Sequence, residues 1–497
     1  MRRWAVLAVL SGSLLIIAMD TTILNVAFPA LVADLRPSSI EQLWIVDSYA
    51  LVLSGLLITA GSLGDRWGRR RLLIIGFVIF AAASLLAVAA TQAWVVIAAR
   101  ALLGVGGAAI MPSTISILRA VFTNPRELAL AYSVWTAVIG AGMALGPLVG
   151  GLVVQVYGWE AAFLLNVPVA VILIALALWL VPESSHPREG RWDWWGVGQS
   201  IVGMLALAGG IKFVAHAPPT GIALLAVAAV ALTVFVRREL RIDNPLLQVR
   251  MFASRTFSVS AVSIFLGMMG LGAVLFLLSQ WFQYVKGYQP FIAGVHLLPA
   301  PLVLIVAPLF TPRLLDRFRV RAVLGTGMIV AAAGMAVPWA ADRLGDLEYW
   351  EVAIALAALG GGFGIAATAA SVALLSSSPQ EEAGGAAAVE EISYELGSAM
   401  GVAAIGTLAQ VLYSRSIPVA GLPADLAAMV SDSIGEAAYV AGQVADPLGA
   451  RIMAEASVAF TSALGSACLA AAILLLASGV VGWRLIPRGF QPTKTSH

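Results

Sequence analysis

Charged residues are scarce in this chain. Asp, Glu, Lys and Arg make up 11% of its 497 residues, and apolar residues make up 60%, whereas soluble domains carry about 25% charged and roughly 45–50% apolar residues. A large part of any folded chain's surface stays exposed to its solvent, so a soluble protein of this length cannot hide so much apolar surface. The solvent over most of the surface must therefore be lipid.

Cysteine and clustered histidine are also lacking. Cys468 is the only cysteine, which excludes an internal disulfide. The four histidines are too far apart to match a metal-ligand motif, so no metal site is expected. They are His186, His216, His296 and His497.

Several function classes are disfavoured by what is missing. A net charge of +2 argues against a nucleic-acid partner, which needs a concentrated basic face. No Walker loop is present, so neither a nucleotide site nor ATP-driven pumping is expected. The sequence also lacks a recognisable nucleophile–base pair, so an enzyme and an organic cofactor are not expected.

Long apolar runs are what the chain has in abundance. A helix needs about 20 apolar residues to cross the hydrocarbon. The first run follows Met1-Arg2-Arg3 and has no small-residue cleavage site before Asp20, so it is interpreted as a membrane span rather than a signal peptide. Fourteen runs, numbered spans 1 to 14, cover residues 5–30, 42–63, 72–90, 93–118, 128–152, 160–180, 194–214, 220–236, 257–284, 290–311, 322–340, 350–375, 386–412 and 458–483.

The basic residues orient these spans. An even number of spans places both termini on one side of the membrane. Of the 29 lysines and arginines, 22 lie on that side, six lie on the opposite side, and Arg100 lies inside span 4. Such an excess predicts cytoplasmic termini. Frequent alanine and arginine with little lysine is typical of GC-rich bacteria, so a multi-pass protein of the bacterial inner membrane is expected.

An internal repeat divides the chain. The Asp65-Arg66 pair follows span 2 between flanking glycines, and Asp316-Arg317 follows span 10 in a weaker copy of the same segment. The alternative is that short cytoplasmic loops gather arginines without any duplication. A duplication predicts an all-α integral membrane fold with two six-helix bundles. The bundles are expected at 1–185 and 251–490, with two extra spans inserted in 186–250.

The segment 413–457, between spans 13 and 14, is long and contains Pro418, Pro423 and Pro447. It is expected outside the cell. Its alanine-rich centre, near 424–444, predicts either a short helical hairpin on the membrane face or a loop without regular structure. The sequence leaves both interpretations open.

Three motifs follow one another on spans 2 to 5. They are Gly61-Ser-Leu-Gly-Asp65-Arg66-Trp-Gly68-Arg69-Arg70-Arg71, Arg100-Ala-Leu-Leu-Gly104-Val-Gly106 and Gly142-Met-Ala-Leu-Gly146-Pro147-Leu-Val-Gly150-Gly151. The first closely resembles the loop 2–3 signature of the major facilitator superfamily. The second and third resemble its helix-4 motif and its helix-5 antiporter motif.

Three further segments narrow the resemblance to one branch of that superfamily. The segment Asp20–Pro29 resembles the helix-1 motif of the fourteen-helix drug–proton antiporters, with Phe28 where Leu is usual. Glu390–Gly397 in span 13 and Trp44–Tyr49 in span 2 are similar to the quaternary-ammonium and dye exporters of that branch. The resemblance covers essentially the whole chain, and it implies the major facilitator fold with two extra central helices.

Asp20 is the first candidate for proton coupling. A bare carboxylate inside a span costs about 3 kcal/mol or more, and such residues usually face the bundle interior. A buried carboxyl can carry a proton in one conformation and release it in another. The alternative is an acid that only holds helices together.

Span 13 supplies three more acids. Glu391 and Glu395 are four residues apart and therefore share one helical face. Two nearby carboxylates resist ionising together, which suits a site for a cation or a proton. Glu390 is a further candidate, with a position at the cytoplasmic mouth as the alternative.

Asp47 and Arg100 complete the candidate set. By resemblance, Asp47 joins substrate binding or proton uptake, with an interfacial polar residue as the alternative. Arg100 must pair with a carboxylate or with carbonyls to stay charged inside a span. The resemblance implies a role in proton transfer, and a structural clamp is the alternative.

Other motif residues are expected to act on conformation or on the cavity. By resemblance, the loop 2–3 residues latch neighbouring helix ends in the outward-facing state without touching substrate: Gly61, Asp65, Arg66, Gly68, Arg69 and Arg70. The span-5 residues either pack the helix closely or serve antiport more specifically: Gly142, Gly146, Pro147 and Gly150. The aromatic residues either line a cavity that holds a cation or serve as packing and interfacial anchors: Trp44, Tyr49, Trp135 and Tyr394, with Trp281 and Phe282.

The expected function is proton-driven export of cationic or lipophilic small molecules by alternating access. The resemblance implies quaternary ammonium compounds and dyes such as ethidium as substrates, with protons as the coupling ion and no other cofactor. A monomer in the lipid bilayer is expected. The main alternative is a proton-coupled or uniport carrier of a single native metabolite. An integral membrane enzyme and a non-transporting sensor are weaker alternatives.

Overall fold

The computed structural model describes residues 2–122, 125–183, 193–242, 245, 249–377, 383–444, 446–488 and 490. These residues form helices and their connections, and the described part contains no strand. Fourteen helices are long and apolar enough to cross a membrane. The predicted all-α membrane fold with two six-helix bundles and two additional helices is confirmed.

The first bundle contains spans 1 to 6. Span 2 begins at Ser39 because Ser38 and Glu41 satisfy each other's backbone N–H groups in a capping box. Span 3 begins directly after Gly68, whose φ of 108° is one that side chains rarely allow. The helices are Arg2–Leu35, Ser39–Trp67, Arg69–Val88, Ala93–Val121, Pro125–Tyr157 and, as span 6, Glu160–Leu164 with Asn166–Leu180.

The inserted pair comprises span 7, Trp194–His216, and span 8, Pro218–Glu239. Asp193 caps span 7 by accepting from the N–H of Gly196 at 3.0 Å, and Arg238 donates to it at 2.8 and 2.9 Å. Burial alone would raise the pKa of Asp193, but the bonds from Arg238 and Gly196 outweigh it and lower the pKa. The predicted domain boundary near residue 185 lies outside the described residues.

The second bundle contains spans 9 to 14. Span 10 is broken into four short helical pieces because prolines at 299, 301, 308 and 312 cannot donate to the helix ladder. Spans 9 and 13 each contain a π-helical turn, at Trp281–Val285 and Val402–Gly406. The helices are Arg255–Gln280 with Trp281–Val285; Pro290–Leu297, Pro299–Val306, Ala307–Phe310 and Thr311–Arg317; Val320–Leu344; Tyr349–Ser376; Ala383–Gly401, Val402–Gly406 and Thr407–Ser416; and Leu448–Leu485.

The connection between spans 13 and 14 contains two short helices, Ala424–Asp432 and Ile434–Gln443, called the hairpin below. Span 14 begins at Leu448, ten residues earlier than predicted. Its first turns carry Arg451 and Glu455, which pair with each other at 2.8 Å. These turns pack beside the hairpin, and their two charged residues lower the local hydropathy, so an apolar run does not reveal them.

The hairpin also contacts the first bundle, on the side of the membrane opposite the termini, called the far side below. Asp432 accepts from the N–H of Ser39 at 3.2 Å and from its hydroxyl at 3.1 Å. The guanidinium of Arg36 lies 4.0 Å from the centre of the Tyr439 ring. The hairpin therefore bridges the bundle to which it is covalently attached and the other one.

Spans 1 and 9 join the two bundles on the far side. Pro29 lacks an N–H group, so the carbonyl of Asn25, four residues earlier, loses its donor within the helix. The Ser279 hydroxyl donates to that carbonyl at 2.5 Å. Gln283 donates to the carbonyl of Val26 at 3.2 Å, and Tyr284 donates to that of Pro29 at 3.3 Å. Side chains of one bundle thus bind the backbone of the other.

Candidate functional site

A buried ion pair lies inside the first bundle. Arg100 Nη1 in span 4 donates to Asp20 Oδ2 in span 1 at 2.6 Å, and the two side chains are 2% and 1% exposed. Removing one partner of such a pair leaves an uncompensated buried charge, which costs about 3–5 kcal/mol. Each charge is therefore held in the membrane interior by the other.

Span 2 supplies the other contacts of the Arg100 guanidinium. Arg100 Nε donates to the carbonyl of Ile45 at 3.3 Å, and the guanidinium carbon lies 4.6 Å from the centre of the Tyr49 ring. Tyr49 itself is fully buried. The predicted cavity candidate Tyr49 thus lies against the ion pair, where its ring face can interact with the cation.

Asn166 is a member of this network that sequence reasoning missed. Its Nδ2 donates to Asp20 Oδ1 at 2.8 Å and to the Ser84 hydroxyl at 3.3 Å. Asn166 lies in span 6 and Ser84 in span 3, so five spans, 1, 2, 3, 4 and 6, meet at this network. The available signal was an asparagine within an apolar run. A search for charged residues inside the spans does not find it.

The span-13 glutamates differ in their surroundings. Glu390 accepts a short hydrogen bond of 2.5 Å from Ser371 in span 12, within its own bundle. Glu391 and Glu395 are half-buried. They lie close enough to repel each other electrostatically, as expected for two acids on one helical face.

The two bundles are linked electrostatically at this level. Arg100 of the first bundle attracts Glu395 of the second. Tyr49 interacts electrostatically with the negative charges of Glu395, Asp20 and Glu391. Asp20 of span 1 and Glu395 of span 13 therefore both interact with Arg100, although the two acids come from different bundles.

The remaining predicted residues lie in varied surroundings. Asp47 is fully buried in span 2. Trp44 packs beside Gly209 of span 7, Tyr394 stacks edge-on to Phe363, and Trp135 is buried, donating to Thr114 at 3.3 Å. Their roles in substrate binding stay predictions.

The arginines that follow span 2 bind helix ends. Arg69 donates to the carbonyl of Ser116 in span 4 at 3.0 Å, and Arg70 donates to the carbonyl of Val181, after span 6, at 3.3 Å. Glu183 accepts from the N–H of Arg70 at 3.1 Å and lies 3.8 Å from the guanidinium Nε atoms of Arg70 and Arg71. Sequence reasoning missed Glu183. The surroundings of Gly61 and the side chains of Asp65 and Arg66 lie outside the described part of the structure.

The glycines of span 5 face span 1. A Cβ at Gly142 would meet the side chain of Ala18 at 2.6 Å, and one at Gly146 would meet Thr22. One at Gly150 would meet Ile23. On another face, a Cβ at Gly294 of span 10 would meet the backbone of Pro147. The motif therefore lies between span 1 and the second bundle. No group of His, Cys, Asp and Glu within the described ranges could hold a metal ion.

The fold matches solved transporters across almost its whole length. A bacterial homologue of the human lysosomal transporter Spinster, in an inward-facing and unoccupied conformation, superposes with a TM-score of 0.68 at 16% identity, covering 97% of this chain and 96% of that one. Tetrameric PepTSo2 superposes with a TM-score of 0.62 at 15% identity, covering 98% of this chain and 100% of that one. At these identities the likeness concerns the fold alone.

Several proteins have a higher sequence identity to this chain than these solved structures do. The multidrug efflux pump LfrA of Mycolicibacterium smegmatis is 38% identical over 97% of this chain and 95% of its own length. The methyl viologen resistance protein SmvA of Salmonella typhimurium is 32% identical over 97% and 98%. The methylenomycin A resistance protein of Bacillus subtilis is 30% identical over 81% and 87%.

A family model described as Major Facilitator Superfamily matches residues 10–402. This match agrees with the fourteen apolar helices and with the motifs on spans 1 to 5. The predicted family is thereby confirmed, and so is the expectation of a transporter rather than an enzyme. The chain belongs to the Major Facilitator Superfamily of membrane transporters, alongside multidrug efflux and drug-resistance proteins.

Proposed function

We propose that this chain is a proton-coupled multidrug antiporter that exports cationic and lipophilic compounds by alternating access. Quaternary ammonium compounds and dyes such as ethidium are the proposed substrates. The protein acts as a monomer in the bacterial inner membrane, with both termini in the cytoplasm, because basic residues are concentrated on the terminal side. The far side then faces the exterior.

One observation carries the proposal: the buried Arg100 interacts with an acid of each bundle. It is bonded to Asp20 and attracts Glu395. A proton on Asp20 cancels the charge that holds Arg100, so the attraction of Arg100 to Glu395 becomes the stronger of the two. Because the acids belong to different bundles, a change of pairing alters the interaction that holds the bundles in one arrangement.

The same acids suit a cationic substrate. Glu391 and Glu395 are half-buried on the span that packs against span 2 of the first bundle. Two neighbouring carboxylates are stabilised by a bound cation or by protonation, and the two modes compete. Competition of this kind is the basis of exchange: a proton arriving from outside displaces the substrate cation. Methyl viologen, named in the description of one relative, is itself an aromatic dication.

The bundles are joined on the far side in this structure, through Asn25, Val26 and Pro29 with span 9 and through Ser39 with the hairpin. With the termini in the cytoplasm, this is the arrangement in which the exterior is closed off. Export then requires these bonds to break so that the site opens outward.

The test is ethidium uptake by inside-out vesicles with an imposed pH gradient, acidic in the lumen. Native protein should accumulate ethidium, and Asp20→Asn should abolish accumulation, a loss of at least about 100-fold, while downhill ethidium exchange without a gradient persists. Asp34→Asn is the matched control, because Asp34 lies on the same span and accepts from Trp159 at 3.0 Å. It should retain accumulation.

Ethidium accumulation that is indifferent to the gradient in the native protein would refute proton coupling. Absence of ethidium movement in every preparation would favour the single-metabolite carrier.

A further inference from the structure

The two oxygens of the Asp20 carboxylate have chemically different partners. Oδ2 is bonded to the guanidinium of Arg100 at 2.6 Å, and Oδ1 is bonded to the amide of Asn166 at 2.8 Å. Arg100 and Asn166 are 2% and 4% exposed. Neither oxygen is therefore open to bulk water in this arrangement, and a proton that reaches Asp20 must be accommodated beside one of these partners.

Arginine cannot accommodate it. The guanidinium has five N–H donors, has no acceptor, and stays charged at every physiological pH. A proton on Oδ2 would point at the donors of Arg100. That oxygen can be protonated only after Arg100 has moved away, whereas protonation of Oδ1 leaves Oδ2 free to keep accepting from Arg100.

Asparagine can accommodate it. The amide Nδ2 of Asn166 now donates one hydrogen to Asp20 and the other, at 3.3 Å, to the Ser84 hydroxyl. Rotation of the amide by half a turn places its oxygen where the nitrogen was. The oxygen then accepts from a protonated Asp20 Oδ1 and from the Ser84 hydroxyl, since both a carboxylic acid and a hydroxyl can donate. Both hydrogen bonds reverse direction without any change of position.

We propose that Asn166 is the positioning residue that holds Asp20 in both of its protonation states, and that Oδ1 is the oxygen that receives the coupling proton. The inference rests on the proposed function of Asp20 as a coupling acid. Ser84 completes the device, because its hydroxyl can accept from the amide in one state and donate to it in the other.

The charged and titratable groups around this device come from three directions. Span 4 contributes Arg100, and span 2 contributes Tyr49, whose ring lies against Arg100. Span 13 contributes Glu391 and Glu395, which interact with Tyr49, and Glu395 also interacts with Arg100. Span 5 packs against span 1 here through Gly142 and Gly146, which carry no charge. A neutral partner for Oδ1 lets the proton bind while Arg100 is still in place, and the loss of the Asp20 charge then favours Glu395 as the partner of Arg100.

The experiment compares Asn166→Leu, Asn166→Asp and Ser84→Ala in the vesicle assay, with ethidium as the probe. Leucine has a similar volume and no hydrogen bond, so Asn166→Leu should lower the ratio of gradient-driven uptake to downhill exchange by at least about tenfold. Ser84→Ala removes one of the two bonds and should lower that ratio by about threefold.

Asn166→Asp is the variant that a purely structural role cannot explain. It keeps the shape of the side chain but loses the fixed donor. At low pH its own carboxyl takes up a proton and again offers both a donor and an acceptor. Driven uptake should therefore recover as the pH is lowered, whereas Asn166→Leu should not recover at any pH. In the Asp20→Asn background, Asn166→Leu should have no further effect on the ratio.

Two results would overturn the inference while leaving the proposed function intact, provided that the native protein shows gradient-driven uptake. The first is gradient-driven uptake by Asn166→Leu within about twofold of the native value. The second is an equal loss of gradient-driven uptake and downhill exchange in Asn166→Leu, which would indicate a packing role. A native protein that ignores the pH gradient would overturn the proposed function, and this inference with it.

Discussion

At the scale of single residues, the distinction that matters is between acids that face the other bundle and acids that do not. Glu395 interacts with Arg100 across the interface, whereas Glu390 is bonded to Ser371 of its own bundle. Because glutamine can still accept from the Ser371 hydroxyl, loss of charge at Glu390 preserves that bond. The two neighbouring acids are therefore expected to respond differently to the same substitution.

The prediction follows for Glu395→Gln and Glu390→Gln. Glu395→Gln removes the charge that competes with Asp20 for Arg100, so gradient-driven ethidium uptake should fall by at least about tenfold, while Glu390→Gln should stay within about threefold of native. Initial rates in inside-out vesicles at equal protein amounts give the comparison. A larger loss in Glu390→Gln than in Glu395→Gln would contradict this assignment.

Prediction from the sequence succeeded for single residues whose requirement follows from the charge of their own side chain. A charge inside a span must be paired, so the position of Arg100 in an apolar run is enough to indicate that it needs a partner. The run does not say which of several acids is that partner. Asn166 and Glu183 escaped prediction for the same reason: their importance lies in which remote groups they face, and the sequence around each of them does not show that.

At the scale of elements, close packing of spans 1 and 5 depends on glycine. A Cβ at Gly146 would meet the Thr22 side chain and lie 3.0 Å from the carbonyl of Met19. The carbonyl belongs to the backbone and cannot rotate away, so one of the helices has to shift. The contact is thus sensitive to a single methyl group.

Gly146→Ala should therefore destabilise the protein by about 1–3 kcal/mol and slow transport. Gly198→Ala is the matched control, because nothing lies within 4 Å of its added Cβ; there the better helix propensity of alanine should leave stability unchanged or raise it by up to about 1 kcal/mol. Thermal unfolding in detergent, followed by tryptophan fluorescence, compares the two. Equal behaviour of both variants would show that the spans are not in tight contact.

Span positions were predictable because hydropathy depends only on local composition. The four-piece span 10 and the early start of span 14 were not, for two different reasons. Prolines in span 10 break the helix without lowering its hydropathy. The first turns of span 14 are polar and are helical because the hairpin packs beside them, which is a tertiary effect.

At the scale of the whole molecule, the hairpin ties the bundles together at the far side. Glu436 of the hairpin interacts electrostatically with Asp432 and with Arg36. Burial raises the pKa of Glu436, and Asp432 raises it further, while Arg36 opposes the shift. An acid whose pKa is raised in the docked state holds its proton more tightly there. Docking is therefore favoured at low pH and weakens as the pH rises through the docked-state pKa.

Hydrogen–deuterium exchange of residues 424–443 tests this dependence. After correction for the intrinsic exchange rate, exchange in the native protein should slow by at least about threefold as the pH falls from about 7 to about 5. Glu436→Gln carries no titratable group at that position, so its corrected exchange should be flat over the same range. A native profile that is flat, or that slows with rising pH, would show that Glu436 does not control docking.

The hydrogen bonds between spans 1 and 9 near Pro29 have a consequence for which substitutions this region can accept. The acceptors are main-chain oxygens of Asn25, Val26 and Pro29, and every amino acid supplies such an oxygen. These bonds therefore impose no choice of side chain at positions 25 and 26. They do require a proline to free the first carbonyl, and polar donors on span 9 to reach it. Substitutions at positions 25 and 26 can thus change the side chains on this side of the protein while the hydrogen bonds between the bundles stay the same.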